Sequence, residues 1–140
     1  NIKGNLIATI PVVTSRYENA FHSLHFSRGG RYILTRGSDS DSIARLWDAK
    51  GNLLATLQHQ GRISSLQFSP DGRHILTDSH DKTARLWDLE GKTVAVLQNK
   101  GEWLNPVFSP DGNYILASSS NVALLWDKKG NPLAVIQGHA

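Results

Sequence analysis

Phe68-Ser69-Pro70-Asp71-Gly72 and, farther along, Ala84-Arg85-Leu86-Trp87-Asp88 belong to one unit that the 140-residue chain writes three times. Trp-Asp pairs stand at Trp47-Asp48, Trp87-Asp88 and Trp126-Asp127, 40 and then 39 residues apart. A Phe-Ser-x-x-Gly element runs from Phe26 to Gly30, from Phe68 to Gly72 and from Phe108 to Gly112. A Gly-x-x-x-Ala segment opens at Gly4, Gly51, Gly91 and Gly130. The markers keep one order and nearly one period, which is the signature of a repeat architecture.

Within a unit every local signal is β. Arg62 to Phe68 alternates as a half-buried strand does, with Ile63 and Leu66 supplying bulk. Ser69-Pro70-Asp71-Gly72 is a tight turn: proline presets φ, aspartate tolerates the second corner and glycine accepts positive φ. His74 to Thr77, Thr83 to Trp87 and Thr93 to Leu97 are the next strands, separated by turns at Ser79-His80-Asp81-Lys82 and Asp88-Leu89-Glu90-Gly91. Four short strands recur about every 40 residues, with no helical periodicity between them. A small twisted sheet of four strands cannot bury both faces alone, so copies must stack, and radial stacking makes a propeller.

The composition narrows the function classes. Hydrophobic residues are 39% and charged residues 19% of the chain, with mean hydropathy −0.32, as in an ordinary globular domain. No apolar run approaches the roughly 20 residues a spanning helix needs, so no membrane partner is expected. Asn1 to Asn5 have no secretory plan. Cysteine is absent, which removes disulfides and thiolate metal sites and fits a cytoplasmic setting. The net charge of +3 comes from 15 scattered Lys and Arg, a pattern that does not favour nucleic acid. Methionine is absent even at position 1, and the expectation is a piece of a longer chain.

On these residues the chain resembles the WD40-repeat β-propeller family. The Phe-Ser-Pro-Asp-Gly turn, the Ala-Arg-Leu-Trp-Asp strand and the terminal Gly138-His139 carry the likeness. Leu53-Leu54-Ala55-Thr56-Leu57-Gln58 after its Gly-Asn turn is similar in style to bacterial WD repeats. The resemblance implies an all-β propeller fragment: three four-stranded antiparallel blades plus one extra outer strand, with strands ordered from a central channel outward. Residues 1–13 hold the outer strand of a preceding blade, at about 5–10. Blade 1 spans 14–60, blade 2 61–100 and blade 3 101–140. Three blades cannot close a ring that needs at least about four, so the remaining blades come from missing sequence or from self-association.

His59, Ser79 and Asp81 invite comparison with a catalytic triad. The family resemblance implies instead a structural hydrogen-bonded tetrad running from Trp87 through Ser79 and His59 to Asp81. A histidine buried between strands needs both ring nitrogens satisfied, and no oxyanion hole accompanies the set. Tyr17 in blade 1 and Asn99 in blade 3 replace the histidine, and Ser120 replaces the last aspartate. His22 and His25 point to opposite faces of one strand and cannot share an ion. Asp39-Ser40-Asp41 lacks the glycine and distal glutamate of a calcium loop. No metal or cofactor is expected. Pro106 falls inside the innermost strand of blade 3, where an edge tolerates the missing N–H.

The resemblance places partner recognition on the loops at one end of the blades, here His22, Arg62, Ser64, His80, Glu102, Trp103 and Asn105. Trp and Arg are frequent binding hot spots, yet the reading preferred for Trp103 is a cap on the core of its own blade. The expected function is a non-catalytic scaffold or sensing platform for a protein or peptide, within a larger multidomain bacterial protein. Two alternatives stand beside it. A nucleic-acid-binding propeller would show salt-dependent retention. An enzyme using the channel would need convergent groups where the blades offer only His22, Ser64 and Asn105.

Overall fold

The computed structural model describes residues 23–36, 42–98, 104–119 and 122–137. The outer strand expected at 5–10 lies outside them, as do Tyr17, Asp39 to Asp41, Asn99 and Ser120. Twelve strands occur among the described residues. They are β1 (Ser23–Phe26), β2 (Tyr32–Arg36), β3 (Ile43–Asp48), β4 (Leu53–Gln58), β5 (Ile63–Phe68), β6 (His74–Ser79), β7 (Thr83–Asp88), β8 (Thr93–Gln98), β9 (Leu104–Phe108), β10 (Tyr114–Ser119), β11 (Val122–Asp127) and β12 (Pro132–Gln137). Each consecutive set of four forms one antiparallel sheet with its strands side by side in chain order. The helical content of these residues is one 3₁₀ turn at Arg28–Gly30.

The turns explain why the strands stop where they do. Gly72 takes φ 73°, as the turn requires. Asp71 does more than tolerate its corner: its Oδ1 accepts from Ser69 Oγ at 2.5 Å and from the Arg73 N–H at 2.9 Å. Asp111 repeats this with Ser109 and Asn113. The aspartate of each Trp-Asp pair closes the next hairpin. Asp48 Oδ1 accepts the N–H groups of Lys50 and Asn52 at 2.9 Å, and Asp88 and Asp127 do the same for their own turns.

Alternation along the strands gives each sheet two apolar faces, and the sheets stack through them. Leu34, Ala44, Leu46 and Leu57 of the first sheet meet Ile63, Leu66, Ile75 and Trp87 of the second. Leu76, Ala84, Leu86 and Leu97, on the second sheet's other face, meet Ile115, Ala117 and Trp126 of the third. The series then stops. Leu116 and Ile136 hold the places that Leu76 and Leu97 hold one sheet earlier, yet they are 39% and 52% exposed against 1% each. On the first sheet Leu24 and Phe26, equivalent to Leu66 and Phe68, are 62% and 71% exposed.

Pro106 sits on β9, the edge strand of its sheet, where a missing donor costs no ladder bond. The β9–β10 register slips between Leu116 and Ser118, and the Pro106 carbonyl, turned outward, accepts from Gln67 Nε2 across the seam at 2.7 Å.

A glycine locks each seam. A methyl on Gly91 would lie 2.8 Å from Ala55 Cβ of the preceding sheet, and one on Gly130 closer still to Ala95 Cβ. Gly130→Ala meets both this contact and a φ of 88°, and is expected to cost about 2–4 kcal/mol. Gly29→Ala, with φ 85° and open space around it, isolates the backbone contribution at about 1 kcal/mol. Urea unfolding of the two variants decides it: equal losses would mean that the close seat carries no weight.

Candidate functional site

The second sheet gathers the residues that could carry chemistry. His59 follows β4 and is almost fully buried. Its Nε2 lies 2.5 Å from Thr77 Oγ1, and its Nδ1 3.0 Å from Asp81 Oδ2. Trp87 Nε1 donates to the same Thr77 hydroxyl at 2.8 Å, and the indole and imidazole rings meet edge to face, 6.0 Å between centroids. The ends fix every proton. Indole only donates and carboxylate only accepts, so Thr77 donates to Nε2, and a neutral His59 donates from Nδ1 to Asp81.

The hydroxyl in this relay is Thr77, which corrects the assignment to Ser79. Ser79 lies two residues farther along β6, donates from Oγ to the Gly61 carbonyl at 2.9 Å and accepts the Asp81 N–H at 3.1 Å. It shapes the turn, and its hydroxyl is engaged there rather than with His59 or Trp87. Thr35 takes the same part in the first sheet, accepting from Trp47 Nε1 at 2.9 Å. Ala117 stands there in the third and offers no hydroxyl.

Electrostatics fit a structural arrangement. Burial pushes the His59 pKa below its ordinary value against the opposing pull of Asp81, so the ring is neutral at pH 7. Burial alone would raise the Asp81 carboxyl. Hydrogen bonds from the Thr83 hydroxyl, the Gln60 N–H, His59 and the Thr83 N–H outweigh it and hold Asp81 at about 2. His59, Thr77 and Asp81, the types of group a hydrolase would use as base or nucleophile, are here hydrogen-bonded to one another and to their neighbours.

A group of exposed polar residues lies at one end of the same sheet. The His80 N–H donates to the Arg62 carbonyl at 2.9 Å, joining the start of β5 to the end of β6. Arg62, Ser64 and His80 are exposed. The β5–β6 register slips between Ile63 and Ser65, and this bulge turns Ser64 Oγ onto Asp78, 3.2 Å from Oδ2. Three of the seven expected partner-facing residues are thus together at one rim. His22, Glu102 and Trp103 lie outside the described residues, as does the side chain of Asn105.

Asp78 was missed by the sequence reading. It is 4% exposed, burial raises its pKa while the Ser64 hydroxyl draws it the other way, and Oδ1 has no hydrogen-bond partner. The available signal was a carboxylate set between Ile75-Leu76-Thr77 and Ser79 in a strand otherwise built for burial.

Comparison with known proteins agrees with the repeat. The profile of the family described as WD domain, G-beta repeat matches residues 51–88 and 101–127. The chain is 50% identical over 44 residues to the nuclear distribution protein PAC1 of Tuber melanosporum, covering 31% of this chain and 10% of that protein. It is 39% identical over 62 residues to the human F-box-like/WD repeat-containing protein TBL1X, covering 44% and 10%. It is 35% identical over 77 residues to the nuclear distribution protein nudF 2 of Penicillium rubens, covering 54% and 16%. The chain therefore matches only about a tenth to a sixth of the length of these relatives.

Proposed function

Two WD40 repeats are detected in this chain, and from that premise we propose that it is a non-catalytic platform that presents the loop end of its sheets to a protein or peptide. The division of polar residues in the second sheet carries this reading. His59, Thr77, Asp81 and Trp87 are consumed inside the seam, whereas Arg62, Ser64 and His80 stand exposed at one rim. Binding groups without a reaction centre suit recognition. The bare face bearing Leu116 and Ile136 calls for another blade of the same design, from further sequence or a second copy. No helix of the described residues is long and apolar enough to cross a membrane.

The finer reading places the platform in the cytoplasm, in a larger multidomain bacterial protein. It rests on the cysteine-free composition and on the phrasing of the Leu53 to Gln58 strand, while the three relatives above are fungal and human.

Substitution at the rim tests the platform. Once a partner is captured, Arg62→Ala and His80→Ala are expected to weaken it by about 1–2 kcal/mol each, five- to thirtyfold. Melting temperature should stay within the small range normal for surface changes. Unchanged affinity in both variants removes this rim as the contact surface, and a turnover lost with His59 at unchanged stability would restore the enzyme reading.

A further inference from the structure

Asp78 stands one residue from the end of β6. Leu76, two residues earlier and so on the same face, packs with Ile115, Ala117 and Trp126 of the third sheet. The Asp78 carboxylate is therefore directed at the rim end of the seam between the second and third sheets. The equivalent residue of the first sheet is Arg36, whose Nη1 donates to the Ile63 carbonyl across the preceding seam. One seam is bridged there by a donor; the next presents an acceptor at the same level. Oδ2 is engaged by Ser64 Oγ, itself on an exposed residue, and Oδ1 has no partner. A desolvated carboxylate oxygen without a donor is costly, and a cation is the group that offsets it best.

We propose that Asp78, with Ser64 at its mouth, is the acceptor site for a primary ammonium, the side chain of a lysine on a protein partner. The geometry favours lysine over arginine. A guanidinium fork needs both carboxylate oxygens, whereas Ser64 leaves one open, and a single acceptor suits a point-charge ammonium. The apolar stem of lysine lies comfortably along a seam walled by leucine. Selection is local, because a chain of net charge +3 exerts no long-range attraction on cations. The inference rests on the platform reading and names the partner chemistry at that rim.

The probe is n-butylammonium, the lysine side chain without its backbone, titrated into the intact protein and followed at the Ser64, Asp78 and Ser79 amide resonances. A saturable shift is expected, with n-butanol and n-butylguanidinium at least about tenfold weaker. Asp78→Asn should lose at least about tenfold in affinity without a lower melting temperature, because it removes a buried unpaired charge. Ser64→Ala should keep the ammonium and admit the guanidinium, since it frees Oδ2. No saturable shift, equal binding by D78N, or unchanged selectivity in S64A overturns the proposal. If butylammonium seats at Asp78 while Arg62→Ala and His80→Ala leave partner binding untouched, only the rim reading falls; the reverse result removes the lysine site alone.

Discussion

The 140-residue chain taken by itself is expected to self-associate at micromolar concentration, head to tail. Leu24 and Phe26 on the first sheet, and Leu116 and Ile136 on the third, are the two halves of the seam that is closed twice elsewhere. Each half carries exposed apolar side chains on one molecule, although Trp47 and Thr35 beside Leu24 and Phe26 are buried, and contiguous apolar patches beyond a few hundred Å² are rare on monomers. The two faces differ, so the contact is heterologous: it closes a ring if the rotation allows and otherwise grows. Light scattering should show a mass above 15.4 kDa that rises with concentration. Charges at both Leu116 and Ile136 should return it to the monomer. A monomer that melts cooperatively without those changes would show that the end faces need no cover.

Breaking the His59 relay is expected to be the most damaging polar change within the second sheet. His59→Ala deletes two buried hydrogen bonds and leaves a cavity, for about 2–4 kcal/mol. Thr77→Val keeps the volume but strands the Trp87 N–H, for about 1–3 kcal/mol. Ser79→Ala removes one bond to the Gly61 carbonyl and should cost only about 1 kcal/mol. Urea unfolding ranks the three, and Ser79→Ala exceeding Thr77→Val would contradict the relay described above.

The pH dependence follows from the same groups. His59 is depressed below 6.5 in the fold, so the unfolded chain takes up that proton first. Its contribution is whole above pH 6.5 and is lost as pH falls below that toward the folded value. Asp81, held at about 2 instead of 3.8, keeps its share down to pH 3.8 and loses it through about 2. Asp78 runs the other way: its pKa is raised, so the folded chain binds that proton first and acid restores stability. Wild-type protein should therefore begin to weaken just below pH 6.5. Burial and Arg36 hold His25 below its ordinary value as well, so His59→Ala should flatten that first step without abolishing it, and an unchanged slope in the variant would assign it elsewhere.

The strands, the turns and the three-sheet division were legible because each unit repeats its own punctuation, Phe-Ser-x-x-Gly at one turn and Trp-Asp-x-x-Gly at another. The relay was legible only in part. Thr77 and Ser79 lie two apart on one strand and face the same way, so alternation cannot separate them; cross-strand level can. Trp87 pairs with Ile75, which puts Thr77 on the diagonal within reach of the indole and Ser79 a further two residues away. The repeat held the clue, since Thr35 and Thr77 share a place while Ser79 answers to Gly37 in the first unit. Asp78 was hidden for another reason. Whether a carboxylate in a strand is paired depends on the neighbouring sheet, and no local pattern reports a contact made across a seam.

The seat of Gly91 on Ala55 and of Gly130 on Ala95 gives the second unit a plug at one side and a socket at the other. Ala134 repeats the socket on the last described strand. The glycine seat is thus the same at both described seams even where other contacts differ, and a shift within one strand would misplace its socket. The spacing of 40 and 39 residues between Trp-Asp pairs is, on this view, the length that brings the next glycine to its seat.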